Sequence, residues 1–441
     1  MGRLPILTIA ATVFVVQLVL AHVYPGFLTG DEVEVLSEAL RTATDYEYAA
    51  YAGRNTLVAR FIVAPWIWVA TCIGITGGAA LVVIATIPFA LASALTIVLV
   101  HALASRWSDD PLAADAAAIT FALHWLPLGF GSTTYPRVIS MLCVTGAALL
   151  LTRGTAAGAL VAGALMGVSF ADRYSEGIYF LPLLLIAGKR MWLAAFSALI
   201  SVLICSGVYE WVVWGSPFHS FRTLADSAIV QSDWSARAEH QPLYWYLANL
   251  PRWCAPALLP FLWTARRSRA LLFIVLPIAA LTLIAHKEIR FLQTVIPFLA
   301  VAAGVGFAAW YRTRRNTAIA LLAISLAWNL WGLRFLGRET KPAVEAARFL
   351  AAIDSLKTIA LGQVWAYGDR IYLGNEPRLI DISTPAQFLD AALPAADAVA
   401  TYESDLTPQF SDALAGNGYE PVRTFRAPRA RDVVVFVRSE R

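Results

Sequence analysis

Residues 79–102 read Ala-Ala-Leu-Val-Val-Ile-Ala-Thr-Ile-Pro-Phe-Ala-Leu-Ala-Ser-Ala-Leu-Thr-Ile-Val-Leu-Val-His-Ala. Twenty-two apolar or small uncharged residues run on before the first ionisable side chain, His101. A helix of about 20 such residues matches the roughly 30 Å hydrocarbon core of a bilayer. In lipid the backbone must satisfy its own donors and acceptors, so such a stretch must be helical.

Comparable stretches recur along most of the 441 residues. The chain is 59% hydrophobic and 15% charged, against about 25% charged in soluble domains. A very large soluble core is the competing reading, and it does not explain so many apolar runs of membrane length. The expected fold is an α-helical polytopic membrane protein of about eleven spans. They lie near 4–22, 79–102, 112–128, 135–152, 155–171, 176–188, 191–213, 251–264, 270–285, 291–310 and 317–336. The first also has the makings of a signal peptide, and an uncleaved span is preferred because the later topology then closes. Segment 57–75 reads as an interfacial or re-entrant helix, since another crossing would reverse every later turn.

The turns test that count. With a cytoplasmic N-terminus, the inner side receives Arg3, Arg106, Arg153, Lys189 with Arg190, the triplet Arg266, Arg267 and Arg269, and then Arg312, Arg314 and Arg315. Each inner turn is basic, as the positive-inside rule requires. Two long loops, 23–78 and 214–250, then face outward and mark the catalytic face of a membrane domain over 1–337. From 338 to 441 charge rises and apolar runs shorten. Pro342 to Leu356 reads as an amphipathic helix, and Thr358 to Leu361, Ala398 to Tyr402 and Asp432 to Arg438 read as strands. The tail is therefore expected to be a small extracytoplasmic α/β domain.

Paired glycines, 154 with 158 and 163 with 167, read as close helix packing. The four cysteines are dispersed among apolar runs and read as packing residues. There is no phosphate-binding glycine-lysine loop, zinc-binding His-Glu-x-x-His, Gly-x-Ser-x-Gly turn or paired-cysteine motif. Neither a metal nor another cofactor is expected, and nothing points to nucleic acid.

The candidate chemistry lies in the outer loops. Asp31-Glu32 opens a helix just beyond the first span. An acid there reads equally as a helix cap or as a general base tuned by partial desolvation. His286-Lys287-Glu288-Ile289-Arg290-Phe291 places four ionisable residues in five positions at a span end. It reads as an anion-binding cluster for a lipid phosphate, against an ordinary charged turn. Arg60, Asp172, Arg173, Glu210 and His240 are scattered over the same side. Tyr244-Trp245-Tyr246 reads as an interfacial belt or a sugar-stacking face.

The string His286-Lys287-Glu288-Ile289-Arg290-Phe291, followed by Pro297, resembles the HKE-x-RF…P signature of glycosyltransferase family 22. That family comprises the lipid-linked mannosyltransferases of N-glycan and GPI-anchor assembly, with the GT-C fold. Over residues 1–310 other positions agree in order. Asp31-Glu32 resembles the acidic pair, Arg60 and Pro65 the first-loop arginine-proline motif, Arg173 an arginine opening a span, Glu210 an aspartate, and His240 through Tyr246 a His-Pro-Trp-x-x-Tyr stretch. Departures (Thr29-Gly30 for His-Pro, Glu210 for Asp, Trp214 for Tyr) imply a divergent bacterial member in an inner membrane.

The resemblance implies an inverting transferase moving a sugar, mannose above others, from a polyprenyl-phosphate donor to a glycan or glycolipid acceptor. It implies Asp31 as base, Glu32 orienting the base or acceptor, and Glu210, His240 and Glu288 within the substrate site. His286, Lys287 and Arg290, with Arg60 or Arg173, are implied to hold the phosphate. A ligase or polymerase of preformed lipid-linked glycans, a lipid-linked sugar flippase and a scaffold without activity stand as alternatives.

Overall fold

The computed structural model describes residues 5–23, 27–46, 56–225, 241–284, 286–335, 341–362, 369–373, 377–381, 395–427 and 431–439. Its principal helices are α1 (Ile6–Val23), α2 (Gly30–Ala43), α3 (Thr56–Cys72), α4 (Gly78–Trp107), α5 (Pro111–Ala122), α6 (Arg137–Thr152), α7 (Ala156–Asp172), α8 (Phe180–Ala187), α9 (Met191–Val202), α10 (Leu272–Thr282), α11 (Ile296–Thr313) and α12 (Arg315–Gly332). Among the described residues four helical runs are long and apolar enough to cross a membrane: Ile6–Val23, Gly78–Trp107, Tyr174–Trp214 and Ile289–Thr313. Five further apolar helices, α3, α5, α6, α7 and Arg269–Thr282, are shorter.

Helices thus occupy most of the expected spans but not at uniform length. Proline and glycine account for much of the shortfall. The stretch expected at 251–264 is cut by Pro251, Pro256 and Pro260 into three short helical pieces. The one expected at 112–128 stops at Ala122, where His124 caps a separate turn, Trp125–Phe130. The run Tyr174–Trp214 is interrupted at Gly188, whose φ of +56° and ψ of −126° lie outside helical space. Segment 57–75 forms α3, which widens into a π-helical turn over Ala59–Val63.

The chain divides into two compact units. The first comprises residues 1–17, 53–58 and 88–334. Its helices meet through small residues, as expected where lipid removes the hydrophobic drive for association. A Cβ on Gly163 of α7 would lie 2.2 Å from the Ala194 carbonyl oxygen of α9, and one on Gly167 would lie 2.4 Å from Ser201 Cβ. Ser197 and Ser201 then donate to the Leu160 and Ala164 carbonyls at 2.6 and 3.0 Å. The other glycine pair has a different purpose. Gly154 (φ +64°) ends α6 in the left-handed conformation, and Gly158 packs on the turn that follows it. On α11, Gly304 meets the Ala113 carbonyl and Ala117 of α5. Fully buried Gln17 donates to Ser93 Oγ at 2.9 Å and to the Pro127 carbonyl at 3.0 Å, pinning α1 by polar contacts.

The second unit comprises residues 18–52, 59–87 and 335–441. Its last break falls after Arg334, and the described residues of the first long loop divide between the units, 56–58 in the first and 27–46 and 59–78 in the second. The tail contains helices α13 (Lys341–Ala351), α14 (Asp369–Leu373) and α15 (Pro408–Gly416). Its strands are β1 (Thr358–Leu361), β2 (Arg378–Asp381), β3 (Ala398–Tyr402), β4 (Tyr419–Phe425) and β5 (Val433–Arg438), in the order β2-β1-β3-β5-β4. β1 runs parallel to β2 and β3, and β5 is antiparallel to β3 and β4.

The central strands are covered on both faces. Val433 and Val435 join Ala343, Ala347 and Leu350 of α13 on one side, while Val434 and Phe436 join Phe410 and Leu414 of α15 on the other. Double coverage explains why β5 reads as an unbroken apolar run. The sequence reading missed the two edges, β2 and β4. β4 buries only Tyr419 and Phe425 at its ends and carries Pro421 at a register shift, so it lacks strand periodicity.

Candidate active site

In the second unit the acidic group is organised by α2. Thr29 occupies the cap position with extended backbone (φ −155°, ψ 163°). The Glu32 carboxylate turns back and accepts from the Leu28 and Thr29 amides at 2.5 and 3.0 Å. Glu32 is completely buried, so its carboxylate closes the helix start in the manner of a capping box. Asp31, one residue earlier, is only partly covered.

Asp31, Glu34 and Glu38 follow at intervals of three and four and so share one helix face. Glu38 is met by Arg60, which donates to its Oε1 through Nε at 2.9 Å and Nη2 at 2.6 Å. Arg60 comes from the π-helical turn of α3, a local widening that often accompanies functional or specially placed side chains. The arginine foreseen as a phosphate ligand is thus joined to a carboxylate that the sequence reading did not single out.

In the first unit the 286–291 segment is extended through Glu288 (φ −136°, ψ 149°) and then enters a 3₁₀ turn, Ile289–Val295. Glu288 is the local acceptor. His286 Nε2 and Arg290 Nη2 each donate to its Oε1 at 2.7 Å, and Arg290 Nε makes a further contact with Oε2. Burial alone would raise the Glu288 carboxyl. The His286 hydrogen bond and the Arg290 charge outweigh it and hold the group below the usual carboxylate range. The Arg290 guanidinium lies 5.9 Å from the Tyr135 ring centre and 5.8 Å from that of Phe291.

Lys287 differs from its neighbours. It is 3% exposed, and its ammonium donates to the Gln241 carbonyl at 2.9 Å. No carboxylate lies within ion-pair distance of it among the described residues. A backbone carbonyl supplies a dipole but no countercharge, and a buried ammonium is costly without one.

Around this segment lies a second charged group. Arg137, at the start of α6, is ion-paired with fully buried Glu176 and donates to Ser175 Oγ at 2.9 Å. Its guanidinium lies 4.8 Å from the Phe291 ring centre. Asp172 accepts from Ser140 Oγ at 2.5 Å. Arg173 leaves α7 in extended conformation, and its charge acts on both Asp172 and Glu176. Glu210 accepts from the Tyr174 hydroxyl at 3.0 Å and from the Ser220 amide at 2.9 Å. His240 lies outside the described residues.

Arg137 and Glu176 were missed, although a signal was present. Each falls just inside an expected apolar span, where an ionisable side chain marks a partner or a function. Among the described residues no three His, Cys, Asp or Glu side chains gather to hold a metal ion.

Comparison with solved structures places this architecture among the GT-C enzymes. ArnT from Cupriavidus metallidurans, bound to undecaprenyl phosphate, superposes with a TM-score of 0.64 at 14% identity, covering 97% of each chain. The Archaeoglobus fulgidus oligosaccharyltransferase gives 0.55 at 12% identity, covering 90% of this chain and 69% of that one. The mycobacterial arabinofuranosyltransferase AftD gives 0.56 at 14% identity, with all of this chain aligned to 40% of that enzyme. No curated protein matches the sequence. A family model matches residues 67–364, a range that holds Arg173, Glu210 and the 286–291 segment and begins after Asp31, Glu32 and Arg60. Spanning well over half of its length, that match makes the chain a member of the Alg9-like mannosyltransferase family.

Proposed function

We propose that this membrane glycosyltransferase moves a sugar, mannose first among candidates, from a polyprenyl-phosphate donor to a glycan or glycolipid acceptor with inversion at the anomeric carbon. The observation that carries the reading is Lys287, a buried ammonium without a countercharge among the described residues. A phosphate monoester or diester supplies that charge, and fixed cations stabilise it further as it becomes the leaving group. Structural neighbours have been solved with undecaprenyl phosphate and with a dolichol-phosphate.

Asp31 is the base in this scheme. Its carboxylate takes the proton of the acceptor hydroxyl, the hydroxyl oxygen bonds to the anomeric carbon, and the bond from that carbon to the phosphate oxygen breaks. Lys287 meets the phosphate, with His286 and Arg290 adding positive charge from the same segment and Arg173 from the end of α7. Neither metal nor cofactor is needed where protein cations carry the leaving group. Arg60 acts in this scheme through Glu38, holding α2 in place, and Glu32 keeps Asp31 at the helix start. The basic turns support eleven spans with a cytoplasmic N-terminus. The long loops and the tail then face the outer side of a bacterial inner membrane.

The test is sugar transfer from radiolabelled polyprenyl-phosphate-mannose by the purified protein, with cell-envelope lipids and glycans as acceptors. Wild type should transfer, and Asp31→Asn should lose turnover by orders of magnitude while keeping donor affinity. Transfer by a folded Asp31→Asn protein removes Asp31 as base. Failure of wild type across a panel of donor sugars removes the transferase reading.

A further inference from the structure

Within the second unit, a cavity of about 720 Å³ is bounded by the C-terminal end of α2, the turn before α4, α13 and α14. Its size falls in the usual range for small-molecule sites. The polar wall consists of Thr44, Asp45, Tyr46, Thr71, Thr76 and Tyr372, and the rest is leucine, isoleucine, alanine and glycine.

Two features show a wall built with a gap in it. The Tyr372 hydroxyl is buried, and its hydrogen-bonding neighbour is the Arg348 guanidinium, 5.1 Å from the ring centre; an arginine only donates, so the hydroxyl proton is left for a ligand to accept. Asp45 is the one acidic side chain lining the cavity among the described residues, and it makes no ion pair there. A third feature fixes the walls together. A Cβ on Gly78 would lie 2.1 Å from the Ile371 carbonyl oxygen, so the start of α4 touches α14 only because position 78 has no side chain.

The chemistry of this lining selects its ligand. Carboxylate and hydroxyl groups bind the vicinal hydroxyls of a sugar ring, and tyrosine and aliphatic surfaces cover its C–H faces. No lysine, arginine or histidine lines the cavity among the described residues, which disfavours a phosphate. We propose that this cavity binds an uncharged hexose ring of the glycan acceptor. The proposal rests on the transferase reading above and deepens it by giving the tail domain a part in acceptor recognition. A donor sugar carries its phosphate on the anomeric carbon, and among the described residues no lining cation is available to meet it. The acceptor is therefore the favoured source of the ring.

Binding is measurable without turnover, which separates this proposal from the assignment of the base. The full-length protein in detergent is titrated with methyl mannoside, methyl glucoside and methyl galactoside, and separately with undecaprenyl phosphate. At least one hexoside should bind. Asp45→Asn should weaken it by about ten- to a hundredfold, the range for a hydrogen bond to a charged group. Tyr372→Phe, which keeps the ring, should weaken it by about fivefold. Undecaprenyl phosphate affinity and the melting temperature should stay at wild-type values in both variants. Three results would each overturn the proposal: no hexoside binds wild type, both variants bind as wild type does, or undecaprenyl phosphate affinity falls in step with hexoside affinity. If hexoside binding behaves as expected while no donor is ever turned over, the cavity stands and the transferase reading fails.

Discussion

The acidic face of α2 and the basic 286–290 segment are both built from charges at a helix start, yet they are finished differently. On α2 the two carboxylates with assigned partners are satisfied from within. Glu32 takes two amides of its own helix start, and Glu38 takes two donors from Arg60. In the 286–290 segment His286 and Arg290 both donate to the Glu288 carboxylate, while Lys287 is buried against a carbonyl. A compensated charge organises the fold. A buried charge without its counterpart is a demand that a ligand can meet, and this difference separates a structural acid from a binding cation.

Breaking the buried pair of the basic group should have the largest effect on stability. Arg137→Ala leaves Glu176 buried without its cation, and losses of about 3–5 kcal/mol follow such removals. Thermal unfolding in detergent should show it, and Arg137→Ala with Glu176→Gln should recover part of the loss. Should Arg137→Ala melt with wild type, the pair does not organise the fold.

Lys287→Met sharpens the comparison from the other side. Removing a buried ammonium that has no countercharge among the described residues should leave the melting temperature unchanged or raised, while undecaprenyl phosphate affinity falls by about ten- to a hundredfold, as expected for a charged hydrogen bond. A loss of stability with affinity intact would make Lys287 another structural charge.

Glu38→Gln removes the charge that Arg60 meets. Because Arg60 is about a quarter exposed, water compensates in part, and a loss of about 1 kcal/mol is expected. It should appear in unfolding and leave donor binding untouched.

The smallest effect concerns pH. The folded Glu288 carboxyl titrates below its ordinary range. Its stabilisation is therefore fully present above the unfolded value of about 4.3 and lost as pH falls through the lower folded value. The melting difference between wild type and Glu288→Gln should be constant near neutrality and shrink below about pH 4. A difference that grows on acidification contradicts the assignment.

The helical membrane architecture was legible because each apolar run carries its own argument: length, lack of charge and the need to satisfy its own backbone. The 286–291 segment was legible as a string, since its four ionisable residues are neighbours in the chain. Strand β5 was legible from four consecutive apolar residues, whereas β4 was not, because an edge strand with Pro421 has little buried face to periodise. The glycines of α6 and α7 show a subtler limit. Four-residue spacing was read once for both pairs, and the packing separated a helix contact at 163 and 167 from a helix end at 154.

From the sequence alone followed the membrane class, the basic turns, the resemblance of the late charged segment and the residues able to do chemistry. These depend on composition and on neighbours within a few positions. Only the tertiary structure decided which charges are already neutralised. Arg60 meets Glu38 across 22 positions, Arg137 meets Glu176 across 39, and Lys287 reaches Gln241 across 46. Such pairings depend on how helices and turns are brought together in space. Local periodicity carries no information about them, so a lone arginine or lysine in the sequence cannot show whether its charge serves the fold or a ligand.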